Sequence, residues 1–231
     1  MEWERALGIW AEDEMTQPQL HYLGDSALLC SLSAPATLPQ QQRIWSIAEQ
    51  AANWPEVSEA VPGMNNLTLI LRRPVVEMDT VSRRVLDIWA HIDTDHIAGR
   101  EIDIPVVYGG ADGPDLDVVA RHTGLSSTEI IQRHSSGEYI VYFVGFMPGF
   151  AYMGGLDPAL ATPRRDEPRL SIPAGSIGIG GEQTGIYSLA SPGGWQLLGR
   201  TSLSLFDPAC TPPTLLRPGD RVRFTVERTA K

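Results

Sequence analysis

The chain has 231 residues and a formal net charge of −10, with 42% hydrophobic and 20% charged residues, an ordinary balance for a globular protein. Its single lysine is Lys231, and the other cationic side chains of the Lys/Arg class are arginines. Within the chain this excludes a P-loop, a Schiff-base lysine and lysine-linked biotin or pyridoxal phosphate, while the negative charge argues against a general affinity for nucleic acid or anionic membranes.

Residues 1–18 hold Glu2, Glu4, Glu12, Asp13 and Glu14 and no apolar targeting segment. They are expected to form a flexible tail, or to reflect a start codon placed too early. No stretch approaches the roughly 18 apolar residues of a membrane span, and a cytoplasmic location is expected. Cys30 and Cys210 lie far apart without metal-type spacing, which favours two separate reduced thiols over a disulfide.

Residues 19–108 read as one domain. A strand is expected around Gly24–Cys30. Thr37-Leu38-Pro39-Gln40 then has a capping-box pattern with proline near the first turn, and Ile44, Ile47, Ala48 and Ala51 recur at helical spacing. Two short strands follow, over 56–61 and 67–72, joined by the turn-rich Pro62–Asn66. Asp79 opens a second helix with Val81, Val85, Ile88, Trp89 and Ile92 on one face, and Glu101–Tyr108 closes with a strand. The order β-α-β-β-α-β predicts a ferredoxin-like domain. Trp45, Trp54 and Trp89 are expected in the core or at a seam.

Residues 109–136 predict a helical connector: two short helices about Thr123-Gly124-Leu125, the second starting with the capping box Ser126-Ser127-Thr128-Glu129. The pattern superficially resembles a helix-turn-helix. Its second helix offers Glu129, Gln132, Arg133 and His134, too little positive charge for a phosphate backbone. From residue 137 to 231 the pattern changes. EYIVYFVGF (138–146) is a buried-strand run, and the Gly- and Pro-rich sequence after it suits short strands and tight turns, favouring a closed barrel.

The segments GFMPGFAYMGGLDPALATPRR (145–165), SIPAGSIGIGGEQTGIYSLASPGGWQLLGRT (171–201) and LFDP (205–208) resemble those of the 5-oxoprolinase B subunit. So do PGMNNLTLILR (62–72) and IPVVYGGADGPDLDVVARHTGLS (104–126). That family also contains the sporulation kinase inhibitor and is similar to the first subunit of allophanate hydrolase. The resemblance spans residues 19–228 or so and implies an α+β N-terminal domain followed by a cyclophilin-like β-barrel. It also implies a heteromeric enzyme in which this chain acts with the A and C subunits, the C subunit being the closest partner. The complex opens 5-oxo-L-proline to L-glutamate with hydrolysis of ATP, and ATP with a divalent cation, Mg, is implied at the level of the complex. The alternative from the same family is an inhibitor that binds a sensor histidine kinase without catalysis.

Phosphorylation of the lactam oxygen would make its carbon a better target for water, so the site must hold a carboxylate, phosphate oxygens and a cation. Without lysine, arginine is the expected cationic group, its planar fork suited to both anions. Arg164, Arg165, Arg169 and Arg200 lie in or beside the matched segments. Residues 174–181, including Gly175 and Gly178, either present successive N–H groups to an anion as a nest or form a strand bend and turn. Gln183, Tyr187, Trp195 and Gln196 are expected in a ligand groove by analogy with such barrels. Ser191 has no nucleophile elbow. His134, four residues before Glu138, either forms a His–carboxylate base or caps a helix. With Arg200, His134 and Glu138 form the expected catalytic set, while Arg164, Arg165, Gly175, Gly178, Gln183, Tyr187 and Trp195 are expected to bind substrate or nucleotide. The other histidines show no metal-ligand spacing, and no metal site is expected in this chain.

Overall fold

The computed structural model describes residues 17–73, 78–92 and 99–230. Of the tail expected over 1–18, only Gln17 and Pro18 fall within them. The chain divides into two compact units, residues 1–96 and 97–231. No helix among the described residues is long and apolar enough to cross a membrane.

In the first unit β1 (Gln19–Leu23) and β2 (Ala27–Ser31) form a hairpin about Gly24, which sits at φ +65°. The single strand expected there is thus two. Helix α1 (Leu38–Ala51) starts at Thr37, whose hydroxyl accepts the Gln40 N–H at 3.4 Å. Strands β3 (Val57–Gly63) and β4 (Asn66–Leu71) and helix α2 (Met78–His91) follow. The antiparallel sheet runs β1-β2-β4-β3. Strand β4 alternates Leu67, Leu69 and Leu71 into a core shared with Ile44 and Ile47 of α1 and Val81, Val85 and Trp89 of α2. Strict period-2 and period-3.6 patterns thus meet on one apolar layer. Trp45, Trp54 and Trp89 are buried, as expected.

The second unit is a closed barrel. Its strands are β5 (Glu101–Gly109), β6 (Tyr139–Val144), β7 (Ala151–Gly154), β9 (Ser176–Gly180), β10 (Gln183–Ile186), β12 (Gln196–Arg200) and β13 (Arg221–Ala230); β8 (Arg169–Ile172) and β11 (Ser191–Gly193) form a separate ribbon. Around the barrel the order is β10-β7-β6-β13-β5-β12-β9, closed by β9 against β10. Helices α3 (Leu116–Thr123) and α4 (Ser127–Ser136) are joined through Gly124 at φ +74° and the reciprocal capping box of Ser126 and Glu129. They lay Leu116, Val119, Ile130 and Ile131 against the barrel core, so the helix pair clads the barrel.

This topology corrects the ferredoxin-like reading of residues 19–108. The sheet position expected for the last strand, beside β2, is taken by β1. Strand β5 leaves for the barrel, where it pairs with β12 and, in parallel, with β13. Its alternate residues Ile104, Val106 and Tyr108 point into the barrel core. The first unit therefore ends before the strand that was expected to complete it. Cys30 is buried and Cys210 exposed, and both are free thiols.

Candidate functional site: an aromatic pocket with an unpaired arginine

Two concavities on the barrel unit are lined by residues of the expected site. The smaller, of about 220 Å³, is walled by rings. Phe150 packs edge-on against Tyr187 (centroids 5.1 Å apart) and Trp195 (5.5 Å), and at a tilt against Tyr152 (4.7 Å). Edge-to-face packing suits the quadrupoles of aromatic rings and fixes their orientation. Glycines make the space: a Cβ on Gly180 would lie 2.4 Å from the Trp195 indole nitrogen, and one on Gly193 would lie 2.4 Å from the Tyr187 hydroxyl. Phe146, 64% exposed, stands at the edge with φ +65° and meets Phe150 edge-on. A non-glycine residue held in the left-handed region marks a place where surrounding structure overrides local preference.

Arg164 is placed by its neighbours. The Gln196 Nε2 donates to Pro163 O at 3.0 Å, and the Arg165 N–H donates to Gly194 O at 2.7 Å. The backbone is tied on both sides of Arg164, whose guanidinium lies 5.8 Å from the Trp195 ring centroid. Among the described residues it has no hydrogen-bond or ion-pair partner. Its two arginine neighbours are occupied: Asp115 Oδ1 accepts from Arg169 Nη2 at 2.7 Å and from Arg165 Nη1 at 3.3 Å, while Oδ2 accepts the Leu197 N–H at 2.7 Å. Asp115 is 2% exposed.

The larger concavity, a groove of about 630 Å³, is lined by Arg200, Gly175, Ser188, Thr201, Ser202 and Ser204, with Leu189, Leu203 and Phe206 among its apolar residues. Arg200 Nε donates to Ala174 O at 2.8 Å, leaving its terminal nitrogens without a partner among the described residues. Gly175, at φ +83°, gives its N–H to Tyr187 O, so it shapes the groove without offering that donor to a ligand. Of the two readings of 174–181, strand with bend and turn is the one seen, and the nest does not form. Residues 176–180 are strand β9, paired on one side with β10 and on the other with β12. Gly178 is buried within it and Gln183 begins the next strand; neither lines the pocket or the groove.

The expected His134–Glu138 pair is also absent. His134 is fully buried and Glu138 is exposed. The tyrosine hydroxyl of Tyr108 lies 2.7 Å from His134 Nδ1, Thr184 Oγ1 lies 3.1 Å from Nε2, and Thr184 in turn donates to Gly178 O at 3.1 Å. Because the threonine proton is committed, His134 Nε2 carries the hydrogen and Nδ1 accepts from Tyr108. The ring stacks on Phe224 at 4.6 Å. Burial pushes the His134 pKa down to about 3, which keeps it a neutral core residue. The structure thus splits the expected site. Arg164, Tyr187 and Trp195 share one pocket, Arg200 and Gly175 another, and Arg165 with Arg169 sits on Asp115. Asp115 escaped the sequence reading because an aspartate at a helix start passes for a simple cap, whereas here it makes no cap bond to α3. Among the described residues no three His, Cys, Asp or Glu side chains gather to hold a metal ion.

Residues 18–216 match the family described as Carboxyltransferase domain, subdomain C and D, which gives the class of protein that this barrel and its preceding sheet unit represent. Over 215 residues the chain is 53% identical to the 5-oxoprolinase B subunit of Escherichia coli O157:H7, covering 93% of this chain and 98% of that one. It is 41% identical to the 5-oxoprolinase B subunit of Bacillus subtilis (strain 168), covering 89% and 91%. The chain belongs to the family of 5-oxoprolinase B subunits. Among solved structures, an uncharacterized protein of Pyrococcus horikoshii is 40% identical with a TM-score of 0.55, over 91% of this chain and 98% of that one. The Kluyveromyces lactis urea carboxylase shares the fold, with a TM-score of 0.72 at 19% identity, over 95% of this chain and 22% of that one.

Proposed function

We propose that this chain is the B subunit of an ATP-dependent 5-oxoprolinase, acting with the A and C subunits and inactive alone. The observation that carries the reading is the 53% identity over 93% of this chain and 98% of a relative bearing that name. The site fits a protein that holds and orients. It offers an aromatic pocket, an unpaired arginine and a hydroxyl-lined groove, while no histidine or cysteine among the described residues lines either concavity. In the overall reaction the γ-phosphoryl of ATP passes to the lactam carbonyl oxygen, water adds to that carbon, the C–N bond opens, and ADP, phosphate and glutamate leave. The divalent cation that accompanies ATP finds no cluster of ligands among the described residues of this chain.

Arg200, which lines the groove with Ser202 and Ser204 and whose terminal nitrogens have no partner among the described residues, is assigned to phosphate oxygens. Arg200→Ala should then lower turnover of the complex by about tenfold or more, with the fold intact because the side chain is exposed. Near-normal turnover would remove the groove from the mechanism.

Reconstitution tests the reading as a whole. The purified chain mixed with the A and C subunits should release glutamate from 5-oxoproline only when ATP is present; no release sinks it. The kinase-inhibitor alternative lacks comparable support, since the matched curated relatives over most of the chain bear the 5-oxoprolinase name. Loss of kinase autophosphorylation on adding this chain alone would favour it.

A further inference from the structure

Resting on that reading, we propose that the aromatic pocket of this chain holds the ring substrate itself, a compact ring bearing one carboxylate, with Arg164 as the partner of that carboxylate.

Size is the first argument. A pocket of about 220 Å³ falls below the roughly 300–1,000 Å³ of sites for drug-sized ligands, so it suits a small ring and is too small for a nucleoside triphosphate. Charge is the second. Among the described residues Arg164 is the one charged side chain lining the pocket, and the neighbouring Arg165 and Arg169 are drawn onto the buried Asp115 carboxylate. One unpaired guanidinium in the pocket lining matches a monoanion. A triphosphate would bring several negative charges and find a single partner.

The walls supply the third argument. Phe150, Tyr187 and Trp195 present rings to a flat, partly apolar ligand, and the guanidinium stands over the indole where it extends that wall. Burial raises the Tyr152 and Tyr187 hydroxyls above the usual phenol range, so both stay protonated and can donate to a lactam carbonyl. Backbone ties at Pro163 and Arg165 hold the Arg164 segment in place before ligand arrives, which reduces the ordering cost of binding.

The test uses calorimetric titration of the full chain with L-5-oxoproline, cyclopentanecarboxylate and 2-pyrrolidinone. The two carboxylates should bind, 2-pyrrolidinone should be roughly tenfold weaker or worse, and Arg164→Met should weaken both carboxylates by a similar factor. Arg164→Lys should rescue part of the loss. In the reconstituted complex, Arg164→Met should raise KM for 5-oxoproline by that same factor and leave KM for ATP unmoved. If the complex turns over and Arg164→Met changes neither KM nor binding to the chain, the pocket assignment falls while the function stands. If the complex releases no glutamate but the chain binds ring carboxylates through Arg164, the function falls while the pocket stands. Arg164 is exposed, so loss of folding does not confuse these outcomes.

Discussion

His134→Ala should destabilise the barrel unit by about 3–5 kcal/mol, measured by urea unfolding of the full chain near neutral pH. The residue is fully buried, stacked on Phe224, and hydrogen-bonded at both ring nitrogens. Truncation opens a cavity and also strands the Tyr108 hydroxyl in an apolar interior, and the two costs act together. A pH signature separates this role from a catalytic one. The folded ring has its pKa pushed down to about 3, whereas the unfolded one titrates near 6.5. Above about pH 6.5 neither state is protonated and the group has no pH effect. As pH falls below that value the unfolded chain takes up a proton that the folded chain refuses, so stability drops by about 1.4 kcal/mol per pH unit toward the folded pKa. Between about pH 7.5 and pH 5.5 the wild type should therefore lose about 1.4 kcal/mol more than His134→Ala, after allowance for groups common to both. Equal slopes in the two proteins would show that His134 is not held neutral by burial.

The histidine also shows what a sequence can and cannot display. His134 and Glu138 sit four apart, a spacing that places side chains on one helix face only if the helix continues. Helix α4 stops at Ser136, and Gly137 at φ −71°, ψ 149° turns the chain out before Glu138. Local signals were legible: the capping box at Ser126, the glycine turn at Gly124, the helix faces of α1 and α2, and the switch to short strands after residue 137. What was not legible is pairing at a distance. Ile104 registers with Phe224, far away in sequence, and the alternation of β5 fits either sheet equally well until that partner is known. The same limit hid the division of the arginines. Arg164 and Arg165 are neighbours in the chain, and only the location of Asp115, some fifty residues earlier, decides that one is paired and the other left free.

That buried carboxylate carries the second large expectation. Asp115→Ala should cost about 2–4 kcal/mol of stability. Its Oδ2 accepts the Leu197 N–H while its own N–H donates to Leu197 O at 3.0 Å, a reciprocal pair that fixes the start of α3 to strand β12. Removing the side chain leaves the Leu197 N–H unpaired in the interior and releases two guanidiniums that are each partly open to solvent, 33% for Arg165 and 23% for Arg169. Solvent access to the arginines keeps the loss toward the lower end of what a broken buried pair costs. Asp115→Asn separates the two contributions. Its amide oxygen still accepts from Leu197, so the fold should lose about 1–2 kcal/mol, but the single negative charge shared by Arg165 and Arg169 is gone. The net positive charge beside the Arg164 pocket then rises by one, and the 163–169 segment has one anchor fewer. With the ring carboxylate seated on Arg164, the Asn variant of the reconstituted complex should show KM for 5-oxoproline shifted several-fold, roughly threefold or more, with kcat less affected. A purely structural aspartate would lower the stability and leave KM where it was.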